Sequence, residues 1–178
     1  HAIVYPGDQP EMLERYIESF SKLRTDMIPG RWPESTRCRA PYKPLLLLAV
    51  MDLFAEGSIT ANLIELSPQL GELFTLYWVR VMPPDQRGNL ALPFFHLRDE
   101  GFWHLVPQPG KEAFLGATRQ IRSVNQLRDT ILGAELDEDL YTVLRVEETR
   151  NLLRTVLVEN YFAPEVQSSL VEQGAINA

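Results

Sequence analysis

The longest apolar stretch of the chain runs from Leu45 to Ala55 and is broken only by Asp52. A helix that is apolar on nearly every side belongs in the interior of a domain. Pro44 suits the first helical position, and Gly57 suits the position just past the end. A membrane span needs about 20 apolar residues, and this stretch is shorter. We therefore predict a buried core helix.

Amphipathic helices are predicted on both sides of this core helix. Apolar residues recur there at intervals of three, four and seven, which is the helical spacing. The predicted spans are residues 11–26, 68–81, 123–132, 137–145 and 147–162, with a single turn over 114–118. Asn62 or Ser67 is the expected N-cap of the helix over 68–81. The residues after Pro164 form either a further helix or a frayed tail.

One region of the chain has the pattern of β-strands. The aromatic-rich runs 94–98 and 102–106 flank a short loop that ends in Gly101, which predicts a two-stranded hairpin with His96 and His104 on opposite arms. The predicted fold is mainly α, a helical domain with a single winged-helix-like hairpin. We divide the chain into an extended segment over 1–10, a domain over 11–165 and a C-terminal tail or linker over 166–178.

Charge is distributed unevenly, although the net charge of −7 by itself argues against nucleic acid. Residues 21–43 contain six lysines and arginines but two acidic residues, and three of the six basic residues lie in a long loop over residues 27–41. From Ala134 onward acidic residues are in excess. Long loops in compact domains tend to be functional. A basic loop next to the free N–H groups of the core helix outlines an anion site.

The sequence has no recognisable catalytic or metal-binding motif. It contains three histidines and one cysteine, with no CxxC, HExxH, nucleophile elbow or glycine-rich phosphate loop. The residues that an HNH nuclease needs are also missing. We predict no catalytic residues, no cofactor, no metal, no small-molecule substrate and no membrane association. Because Cys38 has no partner for a disulfide, a reducing cytoplasmic location is expected.

Three stretches together resemble a known family. They are Arg39-Ala40-Pro41-Tyr42-Lys43-Pro44 leading into the leucine run, Leu92-Pro93-Phe94-Phe95-His96-Leu97 with residues 99–103, and the helical residues from 126 to 162. Their order and spacing resemble the DNA sulfur-binding domain that precedes the HNH nuclease of McrA-like, modification-dependent (type IV) restriction enzymes. The resemblance covers about residues 10–165.

The resemblance implies a bacterial defence module that reads double-stranded phosphorothioate DNA, in which sulfur replaces one non-bridging phosphate oxygen. The nuclease domain would lie elsewhere in the same polypeptide. In the family, an apolar cavity holds the sulfur, and matching motifs place Cys38, Arg39, Leu92 and Pro93 there. Cys38 stands where some relatives have histidine, and Leu92 stands where an aromatic residue is expected.

Further DNA contacts are expected around this cavity. Arg37, Tyr42 and Lys43 are candidates for the phosphate backbone. Because arginine paired with guanine is the commonest specific base contact, four arginines are candidates for base reading: Arg31, Arg87, Arg119 and Arg122.

Two other classes of function stay open at this stage. The acidic residues from Glu135 to Asp139 and beyond could form the working surface of a protein-interaction or regulatory domain that does not bind DNA. A nuclease acting on its own would need a metal-ligand set that the sequence does not supply.

Overall fold

The computed structural model describes residues 8–178, so the extended segment predicted for residues 1–10 lies outside it as far as residue 7. The backbone is already helical from Asp8. The described chain contains nine α-helices and one two-stranded antiparallel sheet. The elements are α1 (Asp8–Ser21), α2 (Tyr42–Ala55), α3 (Pro68–Val81), α4 (Ala91–His96), β1 (Trp103–Pro107), α5 (Glu112–Ala117), α6 (Val124–Thr130), β2 (Ile131–Leu136), α7 (Glu138–Arg145), α8 (Glu147–Tyr161) and α9 (Pro164–Asn177). The mainly helical fold class is confirmed.

Helix α2 is the centre of the domain, as its apolar sequence predicts. Every residue from Lys43 to Phe54 is buried, and α3, α4, α7, α8 and α9 pack around the helix. Full burial of a leucine side chain is worth roughly 1.5–3 kcal/mol, so the leucine run contributes substantially to core stability. The helix begins at Tyr42, which makes Pro44 its third residue instead of its first. Gly57 follows the end with φ of 75°, a left-handed conformation that favours glycine.

The buried Asp52 explains the one polar position in this apolar run. Its side chain accepts hydrogen bonds from the Tyr77 hydroxyl on α3, from Arg154 Nη2 on α8 at 2.6 Å and from Asn177 Nδ2 on α9 at 2.7 Å. Burial raises the pKa of Tyr77, which keeps its hydroxyl protonated as the donor. A single carboxylate therefore joins four helices.

The first predicted strand, over residues 94–98, is wrong. Residues 91–96 form helix α4, which continues as a 3₁₀ turn over Leu97–Glu100. Phe94, Phe95 and Leu97 are all buried, and an apolar run that is buried on every side does not reveal its period. The second predicted strand is present as β1, but it pairs with β2, so that Trp103 lies opposite Leu136.

Some of the other predicted elements have different boundaries in the structure, and others agree with it. The helix that Ser123 caps ends at Thr130, and Gly133 belongs to β2 instead of ending a helix. A side chain at Gly133 would collide with the Ile64 carbonyl, which is why glycine is needed there. Helix α3 has the predicted bounds, and the Ser67 hydroxyl caps it by accepting from the Leu70 amide at 3.1 Å. The residues from Pro164 form helix α9, which buries Leu170.

Within the described residues, no helix has both the length and the apolar character that crossing a membrane requires.

Candidate functional site

A cavity of about 610 Å³ opens between the loop that follows α1, the start of α2 and helix α4. Its wall on the α4 side is apolar. Leu92, Pro93 and His96 lie on one face of this helix because residues three and four apart share a face. Pro93 is buried and Leu92 is half-buried, so the wall is firmly packed from behind.

Another part of the cavity wall is aromatic. The rings of Trp32 and Tyr42 are perpendicular with centroids 5.8 Å apart, and Tyr42 packs on Trp78 with centroids 4.9 Å apart. Burial raises the pKa of Tyr42, which keeps its phenol protonated. A protonated hydroxyl on a cavity wall can donate a hydrogen bond to a bound anion.

The N-terminus of α2 meets the cavity at Ala40, Tyr42 and Lys43. No side chain caps this helix, since Pro41 occupies the N-cap position. The first N–H groups of a helix and its dipole favour negative charge. The helix N-terminus predicted as part of an anion site therefore opens into a real cavity.

The loop beside the cavity is organised by Asp26. Its carboxylate accepts hydrogen bonds from the Ile28 amide at 3.0 Å, from Trp32 Nε1 at 3.1 Å and from Arg31 Nη1 at 2.8 Å. Its own carbonyl accepts from the Ala40 amide at 2.8 Å. Burial raises the pKa of Asp26, but these hydrogen bonds outweigh it, and the pKa lies below its ordinary value. Asp26 therefore fixes the loop as an anion.

Lys43 is held in a buried ion pair. Its Nζ lies 2.6 Å from Glu100 Oε2, and both side chains are at most one-tenth exposed. The same oxygen of Glu100 accepts a hydrogen bond from the Arg24 amide at 3.1 Å. Lys43 thus lines the cavity as a neutralised cation.

A family model described as "ScoMcrA-like, DNA sulfur-binding domain" matches residues 14–177. The chain belongs to this family. The resemblance of its three motifs to the DNA sulfur-binding domain is thereby confirmed. A comparison with curated proteins gave no match. Membership indicates that the domain is a module for binding sulfur-modified DNA, not a catalyst.

The structure brings five of the predicted site residues of this sulfur-binding domain to one cavity. They are Arg31, Tyr42, Lys43, Leu92 and Pro93. They come from three separate segments of the chain: the packing of α4 against α2 joins two of these segments, and the loop that follows α1 supplies Arg31.

Three predicted neighbours in the basic loop do not line the cavity. The Arg39 guanidinium donates to Thr25 Oγ1 at 2.7 Å and to the Leu23 carbonyl at 3.0 Å, and it lies over the ring of Tyr161. Arg37 donates to the Glu159 carbonyl at 3.2 Å. Cys38 is exposed and, like Arg37, has a positive φ. Arg39 therefore supports the cavity from behind, through Thr25.

The remaining predicted arginines are also away from this cavity. Arg87 is exposed and lines two neighbouring surface cavities instead. Arg119 is exposed, and Arg122 is held by Gln120 Oε1 at 2.8 Å.

Arg24 and His96 are among the cavity residues that the sequence did not identify as site residues. Arg24 is exposed, and its guanidinium has no hydrogen-bond or ion-pair partner among the residues that the structure describes. His96 lines the same cavity. Burial lowers the pKa of His96, Lys43 and Arg98 lower it further, and Asp99 opposes them. Because His96 follows Leu92 by four residues, the sequence could have placed both on one face, but only if residues 91–96 had been interpreted as a helix.

The acidic segment that suggested a protein-interaction surface is largely occupied by contacts inside the domain. Asp137 binds His104 at 2.7 Å and the Tyr16 hydroxyl at 3.1 Å, and Asp139 binds Arg15 at 2.6 Å. His104 therefore does not face His96. Over the described residues, no group of three histidine, cysteine, aspartate or glutamate side chains is placed to hold a metal ion.

Proposed function

We propose that this chain binds double-stranded DNA carrying a phosphorothioate linkage and places the sulfur in the cavity between α2 and α4. The observation that carries the proposal is the juxtaposition of an apolar wall, Leu92 and Pro93, with the uncapped N-terminus of α2 in a single cavity. A thiophosphate needs both surfaces at once, because it is an anion with one weakly hydrated atom.

The discrimination between sulfur and oxygen follows from desolvation. An oxygen pressed against the proline ring loses water without gaining a hydrogen bond, which costs roughly 1–3 kcal/mol in proteins. Sulfur is larger and holds water less tightly, so it loses less at the same place. The charged oxygen that remains is bound by the helix N-terminus, the Tyr42 hydroxyl and Arg24.

Two of the positive charges at the cavity are neutralised by carboxylates, which supports this function. Lys43 and Arg31 are each paired with a carboxylate of the domain, and the chain carries a net charge of −7. Non-specific DNA binding comes almost wholly from phosphate contacts by lysine and arginine. A weak background affinity lets one sulfur contact decide where the domain binds.

We also propose the setting in which the domain acts. As the non-catalytic targeting module of a modification-dependent restriction enzyme in the cytoplasm, it would direct an HNH nuclease domain of the same polypeptide to modified DNA. Among the predicted base-reading arginines, Arg31 is the best placed, because it lines the cavity.

The direct test is a titration of short duplexes that differ in a single linkage. One duplex carries an Rp phosphorothioate, one carries the Sp isomer and one is unmodified. We expect the Rp duplex to bind at least about tenfold more tightly than the unmodified duplex, in line with one apolar contact. The Sp duplex is the matched control, because its sulfur points in another direction. Equal affinity for all three duplexes would contradict the proposal.

A further inference from the structure

We propose that Glu100 is a specificity-determining residue that withholds the Lys43 ammonium from the cavity and thereby weakens the binding of ordinary DNA. This inference rests on the proposed function, because it assumes that the cavity receives a backbone phosphate or thiophosphate. Glu100 itself does not line the cavity and acts through its neighbours.

The evidence is that one oxygen atom of Glu100 accepts hydrogen bonds from two donors. Glu100 Oε2 lies 2.6 Å from Lys43 Nζ and 3.1 Å from the Arg24 amide nitrogen. Lys43 and Arg24 both line the cavity. The Glu100 side chain is only 7% exposed, so water does not replace it as the partner of either donor.

The consequence for selectivity comes from the difference between oxygen and sulfur as acceptors. An ordinary phosphate oxygen in the cavity needs a donor to offset its lost water, since an unsatisfied buried acceptor is costly. A free Lys43 ammonium would supply that donor and would also neutralise the phosphate charge. Sulfur against the apolar wall needs no such donor. By occupying Lys43, Glu100 therefore penalises the ordinary phosphate more than the thiophosphate.

The test substitutes Glu100→Gln, which keeps the shape and one acceptor oxygen but removes the charge. We expect the variant to bind the unmodified duplex about fivefold more tightly, the effect of one solvated ion pair. Binding of the Rp phosphorothioate duplex should improve less, so the ratio of the two affinities falls. The slope of log K against log salt for the unmodified duplex should steepen by about 0.9, the value for one additional phosphate contact.

Two further variants separate this role from a general change in charge or stability. Glu148→Gln makes the same change in net charge at an exposed position of α8 and should alter neither the ratio nor the slope. The double variant Lys43→Met with Glu100→Gln removes the whole pair. It should return the affinity for unmodified DNA and the salt slope to the wild-type values, because Lys43 is already neutralised in the wild type.

The possible results distinguish the inference from the function on which it rests. A wild-type protein that does not prefer the Rp duplex contradicts the proposed function. A wild-type preference that Glu100→Gln leaves unchanged, together with an unchanged salt slope, overturns the role of Glu100 alone. If Glu100→Gln does not fold, the double variant decides: a loss of affinity for unmodified DNA would mean that Lys43 binds phosphate in the wild type and would overturn the inference.

Discussion

The indole Nε1 of Trp32 donates a hydrogen bond to the carboxylate of Asp26 at 3.1 Å. This bond holds the tryptophan ring against Tyr42 on one wall of the cavity, and it uses the same oxygen that pairs with Arg31. The loop between α1 and α2 has no strand and only a short 3₁₀ turn within it. The Asp26 side chain therefore links several residues of this loop near the cavity.

Removing that side chain should loosen this wall of the cavity. Asp26→Ala is expected to weaken the binding of modified and unmodified duplexes several-fold, because Trp32 and Arg31 lose their common partner. The fluorescence of Trp32 should shift to longer wavelength and become easier to quench. Asp26→Asn keeps an acceptor oxygen and should recover part of the affinity. Unchanged fluorescence in Asp26→Ala would contradict the organising role.

Pro93 should carry the preference for sulfur. Pro93→Gln places a polar group in the apolar wall, so a phosphate oxygen gains a partner that the wild type denies it. One apolar contact is worth about 1–3 kcal/mol of preference for the Rp phosphorothioate duplex. We expect this preference to fall close to zero in the variant. Titration of both duplexes measures it. Pro84→Gln, at an exposed loop position, is the matched control. A preference that survives Pro93→Gln would exclude this wall as the sulfur contact.

Arg24 should contribute charge without contributing selectivity. Arg24→Ala is expected to weaken both duplexes by a similar factor and to reduce the salt slope by about 0.9, since one phosphate contact is lost. Thermal stability should not change, because the guanidinium has no partner among the described residues. Arg145→Ala, whose guanidinium lies over Tyr141, is a control for net charge and should leave the slope unaltered. An unaltered slope in Arg24→Ala would rule out the contact.

Binding should respond to pH through His96. Its pKa lies below the ordinary value of 6.5, chiefly because of burial, so the imidazole is neutral at pH 7. Acidification through that lowered pKa adds a positive charge to the cavity wall, and a bound phosphate favours that charge. Affinity should therefore increase as the pH falls below 6.5, the ordinary value, through the lowered pKa of His96. His96→Gln should remove this increase. An identical pH profile for the variant and the wild type would contradict the assignment.

The carboxylate of Asp52 should be a main determinant of stability. Asp52→Ala leaves Arg154 buried without its counter-ion and the Tyr77 hydroxyl without its acceptor. Breaking a buried ion pair in this way costs about 3–5 kcal/mol, which urea denaturation can measure. Glu18→Ala breaks the exposed pair with Lys22 and serves as the control, with no measurable change expected. A small effect of Asp52→Ala would show that α9 and α8 are held mainly by apolar contacts.

Local patterns in the sequence were sufficient for most helices of this domain. The bounds of α3 follow from Ser67, Pro68 and the apolar spacing as far as Val81, all of which act within a few residues. The burial of α2 follows from its composition alone. Residues 94–98 were mistaken for a strand because aromatic residues suit both structures, and burial on every side hides the helical period.

The candidate site likewise combines residues that the sequence predicted with contacts that only the structure shows. Motifs near α2 and α4 predicted Tyr42, Lys43 and Pro93 as site residues, because each belongs to a contiguous stretch that resembles the family, and all three line one cavity. The sequence could not reveal that Glu100 neutralises Lys43 from 57 positions away, or that Arg39 turns toward Tyr161 while Arg24 faces the cavity. Sequence determines which groups are present and how each segment folds locally. Only tertiary packing decides which charges meet, because pairing depends on distances between segments that no local pattern encodes.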